Sequence, residues 1–188
     1  MLVANTCAAD FLQKNKAPCL YRVHEPPSQD RLEKARATLA PFGVTLPGGD
    51  SPTPGDYAKV LESIADRPDK AMIQTILLRS MQQAVYSPHN VGHFGLAYDA
   101  YTHFTSPIRR YPDLLVHRAI RGILRRRKYV PKILVEPNEA EVPVQTREII
   151  CKAKPDDKKK VAHIDLWEKL GLLCSAHERR ADEASYDV

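Results

Sequence analysis

At 188 residues, with 43% apolar and 27% charged side chains, the chain is long enough to bury a core and has the make-up of an ordinary globular protein. Its net charge of +5 allows a polyanionic partner without requiring one, and no apolar run approaches the ~18 residues that a membrane span needs. Four scattered cysteines, Cys7, Cys19, Cys151 and Cys174, argue against a zinc ribbon or a disulfide scaffold, and with no signal-peptide leader the expected location is the cytoplasm.

Residues 2–14 repeat apolar side chains at helical spacing, with Ala4, Ala8, Phe11 and Leu12 as the expected inward side. Residues 21–24 read as a short extended piece, and Glu25-Pro26-Pro27 as a break. Ser28 is placed to cap a helix that runs to about Phe42 and stops at Gly43. Residues 46–55 form a Pro/Gly-rich loop. Helices are expected over 56–65 and 68–85; in the second, Met72, Ile76, Leu77 and Met81 make the inward stripe behind Pro68. Residues 93–98 alternate as a short strand does, with Phe94, Leu96 and Tyr98 on one face.

Ser106-Pro107 is a helix-opening signal. Serine supplies a cap oxygen, and proline gives up an N–H that had no partner. Arg109 then falls in the first turn, where free N–H groups and the positive end of the helix dipole attract phosphate. Its guanidinium adds a flat, permanently charged fork matched to two phosphate oxygens. Pro112 cannot donate to the carbonyl of Ile108, so a second helix is expected from Tyr111-Pro112. Its buried stripe is Leu115, Val116, Ala119, Ile120, Ile123 and Leu124, with Arg118, Arg121 and Arg125 on another side.

Between Arg109 and Lys128 there are eight basic side chains against one acid, Asp113. Arg125 to Lys128 lie past the stripe and read as solvated surface. Tyr98, Tyr101, Phe104 and Tyr111 are available for stacking on bases, although Tyr98 and Phe104 fit a core role better. Asp113 and His117 have the spacing of a proton relay or of a plain helix-surface pair, the second being the default. His89 and His93 have metal-ligand spacing but lie around Gly92 in a loop, which argues against a metal role.

Residues 131–161 carry prolines, mixed acids and Lys158-Lys159-Lys160 without sustained periodicity, and read as an exposed excursion. Helix is expected to resume near Leu166 and again after Gly171. Neither end carries the polar signals of a domain edge, so both read as cuts through a larger domain.

The stretch HFGLAYDAYTHFTSPIRRYPDLLVHRAI resembles the signature of the ribonuclease II and ribonuclease R family. LVANTCAADFL, ADRPDKAMIQTILLRSMQQAVYS and CSAHERRADEASYDV extend that resemblance over nearly the whole chain outside 131–161. The resemblance implies an α+β, predominantly helical fold that forms the C-terminal portion of an RNB-type catalytic domain. It also implies 3′–5′ exoribonuclease activity on single-stranded RNA, releasing nucleoside monophosphates with magnesium. Arg109 matches the family arginine that reaches the scissile phosphate; Thr105, Ser106, Arg110 and Tyr111 would line the channel end, with Arg118 and Arg121 as further RNA contacts. The sequence departs from the family pattern in having no D-x-D, the spacing of the family's magnesium-binding aspartates. A base-clamping tyrosine, a terminal-nucleotide glutamate and flanking OB-fold modules are also absent from this stretch, and Tyr186 stands where an arginine is usual. The implied fragment therefore carries the phosphate arginine without the metal ligands. Its rivals are a non-catalytic RNA-binding protein and a subunit completed by a separate aspartate-bearing chain, such as the missing N-terminal half.

Overall fold

The computed structural model describes residues 1–133 and 161–186. They form an α+β fold that is mostly helical, with one small sheet of two strands. The chain divides into two compact units. Unit 1 comprises Met1–Val23, Val85–Val91 and Asp99–Val188, and unit 2 comprises His24–Ala84 and Gly92–Tyr98. No described helix is long and apolar enough to cross a membrane.

Unit 1 is organised by helix α1 (Leu2–Lys14), strand β1 (Tyr21–Val23), strand β2 (Val85–Ser87), helix α5 (Tyr111–Leu124) and helix α6 (Val161–Tyr186). The two strands pair antiparallel, with Tyr21 opposite Ser87, Arg22 opposite Tyr86 and Val23 opposite Val85. Alternation across three residues splits the packing. Tyr21, Val23 and Val85 join Ala8, Ala9 and Leu12 of α1 and Val116 and Ala119 of α5. Tyr86 joins Leu115 of α5 and Trp167, Leu170 and Cys174 of α6.

The buried side of α1 is Asn5, Ala8, Ala9 and Leu12, so the expected stripe is turned: Ala4 is exposed and Phe11 only half-buried. The polar Asn5 earns its burial by binding. Its Nδ2 donates to the Tyr101 hydroxyl at 2.8 Å, and its Oδ1 accepts from the Phe104 N–H at 3.1 Å.

On α5 the expected stripe holds for Leu115, Val116 and Ala119, but Leu124 is exposed at the helix end. The helix finishes in a backward turn, with the Arg127 N–H on the Gly122 carbonyl and Arg126 at φ 53°. Helix α6 runs unbroken through Gly171, where a break was expected. A Cβ on Gly171 would stand 2.6 Å from the Tyr86 carbonyl oxygen, so this glycine lets the helix rest against β2. Of the 131–161 excursion, residues 134–160 lie outside the described residues, while Pro131 is buried and Ile133 packs against the Trp167 cluster.

Unit 2 contains helices α2 (Gln29–Leu39), α3 (Pro54–Ser63) and α4 (Lys70–Ser80) around Leu32, Leu39, Tyr57, Val60, Ile64, Ile73 and Leu77. Helix α2 follows Ser28, whose side chain makes no capping hydrogen bond; it passes into a single 3₁₀ turn (Ala40–Phe42) and stops, as expected, at Gly43 with φ 66°. Helix α3 starts two residues ahead of the expected position because Thr53 and Asp56 cap it reciprocally. Helix α4 is shorter than expected at both ends. Pro68 precedes it, Val85 belongs to β2, and its inward residues are Ile73 and Leu77, with Met72 57% exposed.

Residues 93–98 are not a strand. Phe94–Leu96 make a 3₁₀ turn closed by Ala97 at φ 55°. That turn sits on His24, whose Nδ1 accepts from the Gly95 N–H at 2.9 Å and whose Nε2 lies 2.7 Å from the Gln82 carbonyl. His93 contacts His24 edge-on at 5.1 Å, whereas His89 belongs to unit 1 and pairs with Glu168 at 2.9 Å.

Candidate functional site

The site segment folds differently from the simplest reading of Ser106-Pro107. Residues 107–109 make one turn, closed by the Arg110 N–H on the Ser106 carbonyl at 3.1 Å, that does not itself continue as a helix. Arg110 is extended (φ −127°, ψ 120°) and stands as the residue ahead of α5, with Pro112 in the first helical turn. Pro112 has no N–H for the Ile108 carbonyl, so the turn cannot run on into the helix. Arg109 is thus carried on an isolated turn rather than at a capped helix start. Ile108, beside it, is fully exposed.

Asp113 anchors this turn. It is completely buried, and its Oδ2 accepts from the Ser106 N–H at 2.7 Å. Arg110 donates to it from Nε at 2.9 Å and from Nη2 at 2.8 Å. The expected pairing of Asp113 with His117 is therefore corrected, because the arginine three residues back reaches it first with a two-pronged grip. His117 instead stacks on Phe104 with ring centroids 4.2 Å apart, and its Nε2 lies 2.8 Å from the Phe104 carbonyl. Burial alone would lower the pKa of Arg110, but the bond to Asp113 and its charge outweigh that and raise it.

Arg109, Arg110 and Tyr111 line a cavity of about 680 Å³ within unit 1. Its other wall is α6, through Leu170, Leu173, Cys174, His177 and Glu178, with Tyr86 and Pro112 also on the lining. Burial pushes the Cys174 thiol up to about 12, with the Glu178 charge adding to it, so this cysteine is no nucleophile at neutral pH. Burial also raises the Tyr86 hydroxyl, against the pull of Arg22, and that hydroxyl lies 2.9 Å from Nδ1 of His103. Arg109 makes no hydrogen bond or ion pair among the described residues. Cation, aromatic ring and a helix wall of mixed apolar and charged side chains share one concave space.

The structure thus brings together three of the expected site residues. Thr105 and Ser106 do not line the cavity; the Thr105 hydroxyl oxygen is buried without a hydrogen-bond partner among the described residues. Arg118 and Arg121 are exposed on α5 away from it, and a hydrogen bond with Tyr129 raises the pKa of Arg118. The α6 wall was missed, although Leu170, Leu173, Cys174 and His177 have the spacing of one helix side. Tyr186, whose place in the pattern is usually an arginine, lies outside the residues whose side chains are described.

The magnesium implied by the resemblance finds no fit here. Among the described residues no group of three or more His, Cys, Asp or Glu could hold a metal ion, and Glu178 on the cavity wall is already paired with Arg22.

Ribonuclease R of Vibrio cholerae is 54% identical over 188 residues, covering 100% of this chain and 21% of the relative. Ribonuclease R of Escherichia coli is 46% identical over 190 residues, again covering 100% of this chain and 21% of the relative. The chain therefore spans about a fifth of the length of these curated relatives. The solved structure of Mycoplasma genitalium RNase R in complex with ribose-methylated single-stranded RNA superposes with a TM-score of 0.63 at 28% identity, over 95% of this chain and 26% of that one. The profile of the RNB domain matches residues 1–126, two thirds of the sequence, and the chain belongs to the RNB domain family.

Proposed function

We propose that this chain is part of the catalytic domain of a cytoplasmic 3′–5′ exoribonuclease, in which it binds single-stranded RNA at the Arg109 cavity. The observation that carries this reading is the placement of an exposed guanidinium, unpaired among the described residues, on the lining of a cavity that it shares with Tyr111 and the Leu170, Leu173 and Cys174 side chains of α6. A phosphodiester needs a fixed cation, and its base needs a ring or apolar surface to stack on. Arg109 would grip the phosphate and stabilise the charge that builds on its oxygens when the bond breaks. Tyr111, 46% exposed, offers a ring to the adjoining base. Among the described residues no group of three or more His, Cys, Asp or Glu could hold a metal ion, so on this reading the magnesium is held by side chains outside them.

Incubating the purified chain with labelled single-stranded RNA and magnesium tests both halves of the reading. No nucleoside monophosphates should be released. Binding should weaken by roughly 0.7 log units per phosphate contact for each tenfold rise in salt, and Arg109→Ala should remove about one contact from that slope. Release of monophosphates that Arg109→Ala abolishes would overturn the incompleteness, and absence of RNA binding at low salt would overturn the RNA reading. The lack of a metal-ligand group among the described residues favours a second reading, a purely RNA-binding protein. Activity restored by adding an aspartate-bearing partner chain would reject it.

A further inference from the structure

Asp113 is the only acidic side chain that is buried among the described residues, with no exposed surface at all. An acid in the first turn of a helix is usual, because it faces the positive end of the dipole, but such acids ordinarily stay in water. Burying this one is costly unless its oxygens are fully bonded. They are, and the three donors are informative: the Ser106 N–H, Arg110 Nε and Arg110 Nη2. Ser106 enters the 107–109 turn and Arg110 leaves it, so one carboxylate holds both ends. Arg109 sits between them with no bond of its own among the described residues.

We infer that Asp113 is a positioning residue for Arg109: by clamping Ser106 and Arg110 it fixes where the Arg109 guanidinium stands in the cavity. The inference rests on the reading of Arg109 as a phosphate ligand. It also reverses what charge alone predicts. Neutralising Asp113 raises the net charge of the chain from +5 to +6. It also removes an anion next to a phosphate site, which by Coulomb attraction should tighten RNA binding. A clamp role demands the opposite sign.

The test is a double-mutant cycle on the full chain, read as the affinity for a fluorescently labelled single-stranded RNA at low salt. Arg109→Ala should weaken binding about tenfold, the scale of one charge-assisted contact. Asp113→Asn should also weaken it several-fold, and should have no further effect when Arg109 is already alanine. Asp113→Glu, measured alongside in case the asparagine variant loses its far-ultraviolet circular dichroism, keeps the charge but pushes Ser106 and Arg110 outward, and should behave the same way. Binding that tightens, stays unchanged, or falls equally in the Arg109→Ala background would show that Asp113 serves the fold alone, with the phosphate reading intact. Binding that Arg109→Ala leaves unaltered would instead remove the phosphate reading, and this inference with it.

Discussion

The guanidinium of Arg22 lies 4.7 Å from the centre of the Tyr86 ring, its cross-strand partner. The same side chain, 15% exposed, pairs through Nη1 with Glu178 of α6. One cation thus ties the sheet to the helix that walls the cavity. Replacing it with methionine keeps the stem but strands Glu178 and removes the charge above the ring. Arg22→Met should cost about 2 kcal/mol in urea denaturation. A cost below about 0.5 kcal/mol would show that the pair behaves like one on open surface.

Gly171→Ala opposes two effects of known sign. Alanine should favour helix α6 by roughly 1 kcal/mol through propensity. Its methyl group, however, meets the Tyr86 carbonyl oxygen at 2.6 Å, so helix or strand backbone must shift to admit it. Overpacking of that kind costs about 2 to 3 kcal/mol, so the variant should melt at a lower temperature. A higher melting temperature would mean that α6 does not rest on β2 at this point.

At the end of α5, Arg126 holds φ 53°, a left-handed conformation that strains any residue with a Cβ. It also stands among Arg125, Arg127 and Lys128, which repel it. Arg126→Gly removes the strain and a like charge together, and should stabilise the chain by up to about 1 kcal/mol in thermal or urea unfolding. Gly122→Ala, by contrast, should destabilise, because its Cβ would lie 2.8 Å from the Arg127 carbonyl oxygen. If both substitutions moved the midpoint the same way, the backward turn at the end of α5 would be misassigned.

The Asp56 carboxyl is held below its ordinary value of 3.8, chiefly by the Thr53 N–H, which donates to it at 2.9 Å, and then by the Thr53 hydroxyl at 2.7 Å. A group whose pKa falls on folding lends stability that is complete above its unfolded value and disappears as pH drops through the folded one. Acid should therefore release the start of α3, seen as loss of amide-exchange protection at Asp56 and Tyr57 below about pH 4. In Asp56→Asn that acid-dependent loss should vanish. If it persisted, another carboxylate would be responsible.

Local patterns carried the helices. The period of Leu115, Val116 and Ala119 located the buried side of α5, and Gly43 marked the stop of the α2 segment, where φ 66° suits a residue without a Cβ. Strand β2 was invisible. Three residues are too few to show alternation, and its partner is Tyr21–Val23, far back in the chain. At the site, the residue types were legible and their geometry was not. Arg109, Arg110 and Tyr111 do line one cavity, yet the turn that presents Arg109 depends on what Pro112 withholds from Ile108. The partner of Asp113 was misjudged because a histidine four residues ahead and an arginine three behind have equal claims on paper. Only the bend at Arg110 decides between them.

Val23 faces Val85 on the last rung of the sheet, and the Asn90 side chain reaches the Asp99 carbonyl at 2.9 Å. At both places where the chain departs into unit 2, it comes back to within one hydrogen-bonded step of where it left. The three-helix module is therefore an insert closed on the β1–β2 ladder, and the 92–98 return belongs with it through the Gly95 N–H on His24 and the Phe94 ring on Tyr57. The Arg109 turn, Asp113 and the α6 side of the cavity all lie in the host segments that this insert interrupts.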